Sequence, residues 1–436
     1  MGLDPQTIFS PFELHSPRRL LIAVSGGSDS FGLLTLAAQY FARDRLLAVT
    51  VDHALRPQSA QEAGDVAAYC ASIGLRHRTA TWTGEKPRSG LIAAAREARY
   101  DLLAQAADTE GADVVLVAHT ADDQAETVAM RAQRRSEGAG LAGMAPATLY
   151  DGRIWLLRPL LGCRREAIRD HLRGQGVTWI DDPTNENPAY ERVRTRFALT
   201  DAERAELVAS AAANAKTRTV VAGRAAAIVD ALATQPASGL VRLDLAIQDA
   251  EREPAVLALR ALLATFGGTP YLPDEARVAS LLSRFHPGMR ATLSRVVVDV
   301  RRSGIWMRRE ARDLPVRRLA EGATVWDGRW TLAGPADAGL FVGPLGKDRA
   351  AQVAAEKKDV PESLLRAALS VEPAILSDEK CHQLAEDDAV KAVPRLAPYA
   401  RFLSCFDLEL AHALARLIGA PAFPKLPWKQ HNAPGP

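Results

Sequence analysis

The chain contains no apolar run approaching the roughly 20 residues that a membrane helix needs, which argues against a membrane-spanning protein. A secretory h-region is missing as well, because Asp4, Glu13, Arg18 and Arg19 interrupt the short apolar pieces at the N-terminus; the expected location is the cytoplasm. Cysteine is scarce. Cys70, Cys163, Cys381 and Cys405 lie far apart and form no CxxC pair, which speaks against a disulfide framework or a zinc site and predicts buried, inert thiols. An excess of charge of one sign is also lacking: the formal net charge is +2, so bulk charge does not announce a nucleic-acid partner. Neither GxxxxGK[ST] nor GxGxxG is present, and Gly346-Lys347-Asp348 lacks both the hydroxyl and the glycine spacing of a Walker loop. No internal repeat or low-complexity tract is visible.

With 436 residues, two or three domains are expected. Arginine is strongly preferred over lysine and clusters at Arg131, Arg134 and Arg135, at Arg164, Arg165, Arg169 and Arg173, and at Arg192, Arg194 and Arg196. Guanidinium forks grip phosphate bidentately, so such clusters suit an RNA backbone; a GC-rich codon bias that puts arginine on any solvated face explains them equally well.

The first 200 residues alternate strand and helix signals. Strands are expected at 20–24, 46–51, 76–82, 114–118 and 154–157, with helices from 29 onward and at 59–73, 91–107 and 122–135. Repeated βα units with continuous apolar strands imply an α/β fold, a parallel sheet with helices on both faces, whose ligands bind beyond the carboxyl ends of the strands. Residues 201–314 read as a helical domain: helices at 202–234, 255–266 and 274–285, then a hairpin of 292–301 and 305–309. Residues 315–436 read as a small α+β domain, with a strand-like piece at 325–332, a late helix at 408–418 and a loose Pro-rich tail from Ala420.

The strongest local signal is Ser25-Gly26-Gly27-Ser28-Asp29-Ser30, directly after a buried strand and opening a helix. The two glycines permit a tight turn and close approach to a ligand, while Ser25, Ser28, Ser30 and the free amides of the helix start offer donors to phosphate oxygens. Asp29 would repel a phosphate unless a divalent cation bridged them, which points to magnesium. A Ser/Asp helix cap after a glycine turn is the structural alternative. Further along, Asp123 and Glu126 are three apart at a helix start, hence on one face, and His119 is delivered to the same sheet edge; acids that merely favour the helix dipole are the alternative there.

The SGGxDS pattern resembles the pyrophosphate-loop ATPases, which cleave ATP between the α and β phosphates and form adenylated intermediates. Within that family the ordered stretches Val51-Asp52-His53-Ala54-Leu55-Arg56, Ala95-Arg96-Glu97-Ala98-Arg99-Tyr100, Ala118 to Thr127, Arg158-Pro159-Leu160-Leu161, and Asp182-Pro183-Thr184-Asn185 followed by Tyr190 and Arg192 to Arg196 resemble the lysidine synthetases. Ala54 stands where they usually carry glycine, and Val193 and Thr195 depart from their RNRIR.

The resemblance implies ATP-dependent ligation of free lysine to carbon 2 of the wobble cytidine in a CAU-anticodon isoleucine tRNA, with AMP and pyrophosphate released. It assigns ATP to residues 25–30, Mg2+ to Asp29, and lysine to Asp123 and Glu126. Arg99 and His119 join Asp29, Asp123 and Glu126 as catalytic residues, and Arg194 and Arg196 contact ATP or RNA. A homodimer is implied by the resemblance alone. The competing readings are a tRNA thiolase, which normally needs cysteines absent here; an amidotransferase, which would want a nucleophilic cysteine before Cys70; and a non-catalytic RNA-binding module, which has no need of a carboxylate beside a phosphate loop.

Overall fold

The computed structural model describes residues 3–14, 19–134, 138–181, 187–320, 322–335, 339–355, 360–377, 380–383 and 390–429, without the side chains of 377 and 380–383. Arg135, the Asp182-Pro183-Thr184-Asn185 motif and the Cys381 side chain lie outside the described residues. The chain divides into two compact units, residues 1–218 with 424–436, and residues 219–423.

The first unit opens with α1 (Pro5–Phe9) and β1 (Leu20–Ala23), then α2 (Ser28–Tyr40), β2 (Leu46–Asp52), α3 (Ser59–Ser72), β3 (Arg76–Thr81), α4 (Leu91–Glu110) and β4 (Val114–Leu116). It continues with α5 (Ala121–Gln133), β5 (Ala147–Tyr150), β6 (Ile154–Leu157), α6 (Arg165–Gly174) and α7 (Glu191–Ala198), and α8 (Asp201–Leu232) begins in it. Within this unit the sheet order is β5-β6-β4-β1-β2-β3. Strands β6, β4, β1, β2 and β3 pair in parallel. Both faces are covered: Leu21, Val115 and Leu156 pack under Leu103 and Ala107 of α4, while Leu33, Leu34 and Leu36 of α2 are fully buried. A sheet buried on both sides needs continuous rather than alternating apolar strands, which is the pattern of β1, β4 and β6.

An all-parallel sheet is corrected to a mixed one, because β5 pairs antiparallel to β6. The connecting turn is Asp151-Gly152, with φ of 50° and 69°, the sequence and backbone that favour a tight hairpin. Helices α6 and α7, absent from the sequence reading, bury only Ile168 and Leu172, and Val193 and Thr195, respectively; so few buried positions leave little periodic signal. Against the expectation of a loose tail from Ala420, residues 424–429 return to the first unit. The Glu13 amide donates to the Pro427 carbonyl (3.1 Å), the Lys429 amide donates to Pro11 (2.8 Å), and Trp428 bridges to Phe12.

The second unit holds β7 (Ala233–Ala237), β8 (Leu240–Leu243), α9 (Arg252–Gly267), α10 (Glu275–Leu282), β9 (Arg290–Leu293), β10 (Val296–Arg301) and β11 (Gly304–Arg309), the strands forming an antiparallel sheet of order β7-β8-β11-β10-β9. Residues 292–301, read as one strand, are split by Ser294 and Arg295, both at positive φ, into β9 and β10. The piece 325–332 is likewise split. Asp327 (φ 50°) and Gly328 (φ 73°) turn the chain between β13 (Ala323–Trp326) and β14 (Trp330–Ala333), which follow the short β12 (Arg317–Arg318). Asp327 is buried and accepts from Arg309 Nε (3.0 Å) and Arg329 Nε (2.8 Å), so that turn is locked from inside. Strands β15 (Phe341–Pro344), β16 (Pro373–Ser377), β17 (Lys380–Gln383), β18 (Lys391–Pro394) and β19 (Phe402–Ser404), with helices α11 (Lys347–Ala354), α12 (Glu362–Leu369) and α13 (Leu408–Ile418), also belong to it. Among the described residues no helix is long and apolar enough to cross a membrane.

The strand order of the first unit reverses between β1 and β4, and a crevice opens beyond the carboxyl ends at such a point. At the neighbouring end of β2, Asp52 Oδ1 accepts from the Ala54 amide (2.8 Å) and Ala54 adopts φ 49°. A left-handed alanine costs roughly 1–2 kcal/mol that a glycine does not incur. Ala54→Gly is therefore expected to raise stability by about 1 kcal/mol in a denaturant melt; an unchanged or lowered midpoint would show that the turn is unstrained.

Candidate functional site

The loop Ser25–Ser30 spans β1 and α2 at the crevice. Gly26 is held at φ 91°, and a Cβ there would meet Ile180 Cδ1 at 2.8 Å, whereas a Cβ at Gly27 would meet nothing closer than 3.9 Å. The first glycine is thus required by the turn, and the second leaves open space of the kind an approaching phosphate needs. Ser30 Oγ donates to the Gly27 carbonyl (2.9 Å) and accepts from the Ser25 amide (3.1 Å), which fixes the loop from beneath. The Ile180 amide donates to the Gly26 carbonyl (2.9 Å) and its side chain caps the loop. Two cavities flank it. One of about 370 Å³ lies toward β2 and is lined by Asp52, His53, Arg56 and Arg99; the other, about 480 Å³, is lined by Asp29, Asp123, Arg165, Arg192, Arg196 and Phe197.

Helix α5 starts with a capping box: the Thr120 side chain accepts from the Asp123 amide, and Asp123 Oδ2 accepts from the Thr120 amide (2.8 Å). One carboxylate oxygen therefore serves the helix and the other faces the cavity, so the cap leaves the second oxygen to the site. Asp122 Oδ2 accepts from the Arg165 amide (2.7 Å), and the Ala121 amide donates to the Cys163 carbonyl (2.9 Å), clipping the starts of α5 and α6 together. Helix α6 also lies against α2, where a Cβ at Gly32 would meet Ile168 Cγ2 at 2.2 Å. This close approach delivers the Arg165 side chain between the loop and α5.

There Arg165 Nε donates to Asp29 Oδ2 (2.9 Å) and Nη2 to Asp123 Oδ1 (3.0 Å), with Nη1 3.7 Å from Glu126. Glu126 has 0% side-chain exposure and also accepts from Arg192 Nε (2.6 Å) and Arg196 Nε (2.7 Å); Arg192 Nη2 reaches Asp123 Oδ1 (2.8 Å). Three carboxylates are matched by three guanidinium groups, so the cluster is neutral before any ligand arrives.

The charges do not share equally in that match. Burial pushes the Asp29 carboxyl up from its ordinary range, and Arg165 offsets this only in part. Burial would do the same to Asp123, but Arg192 and Arg165 outweigh it and hold that carboxyl down. His119 is pushed well below the ordinary imidazole range by burial, reinforced by Arg158, so the ring is neutral at pH 7; no partner is found for its Nδ1. Among the described residues no group of three or more His, Cys, Asp or Glu is gathered to hold a metal ion. Asp29 beside a phosphate loop nevertheless fits the way Mg2+ is usually held, by one or two carboxylates together with substrate phosphates. Among the described residues its Oδ1 accepts only a long bond from Ser28 Oγ (3.4 Å), which leaves that oxygen for such a role.

Of the residues anticipated from sequence, the loop, Asp29, Asp123 and Arg196 come together around one cavity, Glu126 is fully buried and tied to that cavity through Arg192 and Arg196, and Arg99 lines the other. Arg194 points away, donating to the Pro188 and Ala189 carbonyls (2.8 and 2.9 Å). Arg158 of the RPLL stretch is buried against Ala145 and Thr148. Arg165 and Arg192, read only as members of basic clusters, are inner-site residues; their i,i+4 partners Arg169 and Arg196, which also line the 480 Å³ cavity, were the available signal. Cys70 and Cys405 are buried as expected, and Cys163 is half-buried.

Residues 5–203 match the PP-loop domain family. Over nearly the whole chain the sequence is similar to enzymes described as tRNA(Ile)-lysidine synthase. It is 48% identical to that of Mesorhizobium japonicum, with 94% of each chain covered, and 40% identical to that of Rhizobium meliloti, again with 94% of each. The protein of Brucella anthropi is 36% identical over 96% of this chain and 98% of its own.

The opposite shifts of the two aspartates predict opposite effects on stability. A carboxyl whose pKa is raised on folding disfavours the folded state once pH rises through that pKa, so at pH 7 Asp29→Asn should leave the thermal midpoint unchanged or raise it. A lowered pKa contributes stability above the ordinary carboxylate range that is lost as pH falls through the depressed value, so Asp123→Asn should lower the midpoint at pH 7 and converge on the parent in acid. Equal losses for both variants at pH 7 would contradict this division.

Proposed function

We propose, from the premise that the chain belongs to the tRNA(Ile)-lysidine synthase family, that it is the ATP-dependent ligase that joins free lysine to carbon 2 of the wobble cytidine in the CAU-anticodon isoleucine tRNA. The observation that carries this reading is a phosphate loop and Asp123 lining one cavity at the β1/β4 reversal, with the buried Glu126 tied to that cavity through Arg192 and Arg196. The cavity toward β2 suits the adenosine of ATP, and the loop, with Ser25, Ser28 and Ser30 and the amides of Gly26 and Gly27, suits its phosphates.

The cytidine leaves its stack to reach the site. Its O2 attacks the α-phosphorus of ATP, the bond to the β-phosphate breaks, and pyrophosphate departs. Arg99 from one side and Arg165 and Arg196 from the other neutralise the charge that develops on phosphorus. A magnesium ion held by Asp29 and the phosphates would supply further charge neutralisation there. The adenylated O2 is then a leaving group, and the ε-amine of lysine attacks carbon 2 as AMP leaves. Lysine arrives as an ammonium and must lose a proton first. Asp123 and Glu126 receive the cation, and the neutral His119 ring feels the Asp123 charge.

The carboxylates that would receive lysine are already paired with Arg165, Arg192 and Arg196. The arginines must move, and the phosphates of ATP are the anions that can draw them off. The second unit and the lysine-poor, arginine-rich surface would grip the tRNA, in the cytoplasm where free lysine and tRNA meet.

The test is transfer of labelled lysine to unmodified transcripts with ATP and magnesium, comparing the isoleucine CAU tRNA with the elongator methionine tRNA of the same anticodon. Label on the isoleucine transcript alone is expected, and Asp123→Ala and Glu126→Ala should each reduce it by at least about a hundredfold. Cleavage of ATP to AMP without label on either RNA would move the substrate elsewhere.

A further inference from the structure

Helix α7 has two chemically different faces. Val193 and Thr195 are buried beneath it, and Arg192 and Arg196 reach inward to Glu126. Tyr190, Arg194 and Phe197 follow an i, i+4, i+7 spacing on the opposite side, and all three are exposed. Tyr190 is 44% and Phe197 69% exposed. A ring that open gains little from the core, and an isolated exposed aromatic would need no explanation. Phe197 is different because it lines the same cavity as Asp29 and Asp123. The residue before it, Arg196, is anchored on Glu126, so the backbone that carries the ring is fixed relative to the carboxylates.

We propose that this outer face of α7 is a stacking platform for unpaired bases of the anticodon loop, with Phe197 supporting the base that enters the cavity and Tyr190 a neighbouring one. This rests on the reading of the chain as an enzyme acting on a tRNA wobble base. Single-stranded bases are recognised by stacking on aromatic side chains with arginines beside them, and an exposed Tyr-Arg-Phe stripe offers both, its positive charge complementary to the RNA backbone. The arginine of the stripe is held by the carbonyls of Pro188 and Ala189, which keeps its charge at the Tyr190 end of the stripe.

The test uses the full chain, a fluorescent unmodified isoleucine CAU transcript, and the variants Phe197→Ala, Phe197→Leu, Phe197→Trp and Tyr190→Ala. Stacking on one ring accounts for roughly a five- to hundredfold change in affinity, so Phe197→Ala and Phe197→Leu should weaken transcript binding by about that factor. Phe197→Trp should restore it, and Tyr190→Ala should weaken it less. The thermal midpoints should not move. Transcript binding by Phe197→Ala as tight as that of the parent would overturn the platform while leaving the enzymatic reading intact. Rescue by leucine as complete as by tryptophan would also overturn it, because an apolar contact would then suffice. Failure of the parent itself to bind the transcript would sink the enzymatic reading, and the platform with it.

Discussion

Glu126 is a carboxylate with no solvent exposure, and the arrangement of the first unit's site follows from the need to neutralise it. Leaving such a charge without its partners costs roughly 3–5 kcal/mol, which is a large fraction of a domain's net stability. Arg192 and Arg196 from α7 and Arg165 from α6 answer that need, and in doing so they bring two arginine-rich helices with few buried residues of their own onto α5. Arg165 extends the tie to Asp29, so the phosphate loop, the carboxylate pair and both helices become one electrostatic unit.

The same match makes the ligand-free site self-satisfied. A lysine ammonium cannot enter among paired carboxylates without stranding guanidinium groups, and those groups need anions of their own. On the proposed function that anion is polyphosphate on the neighbouring loop, where Gly27 is open and Ser25 and Ser30 hold the turn. On the proposed function the two substrates are coupled: nucleotide would redistribute the arginines, and the vacated carboxylates would become a cation site. Such a coupling is reciprocal in free energy, so each ligand would favour the other.

Much of this was legible in the sequence where a residue type has one physical reason to be there. The glycine pair after an apolar strand, the acids three apart at a helix start, and the strand-helix alternation identify the loop, Asp123 and Glu126, and the sheet. Less legible were features decided by tertiary pairing. Arg165 and Arg192 look like any solvated arginine until the buried Glu126 is seen, and α6 and α7 bury too few side chains to show a period. Turns were missed for a local reason: Ser294-Arg295 and Asp327-Gly328 each break what reads as a continuous stretch, and the backbone sign that marks them is visible only in the structure. Ala54 shows the reverse case, a departure from the family's glycine that the sequence exposes and whose left-handed backbone explains why glycine is usual there.

The most direct measurement is calorimetric titration of lysine into the full chain with and without a non-hydrolysable ATP analogue and magnesium. The account predicts that lysine binds at least about tenfold more tightly with the analogue present, and that Arg165→Ala, which removes one of the guanidinium groups from the carboxylates, narrows the difference. Equal lysine affinity with and without nucleotide would contradict the claim that the arginine pairing governs access to the carboxylates.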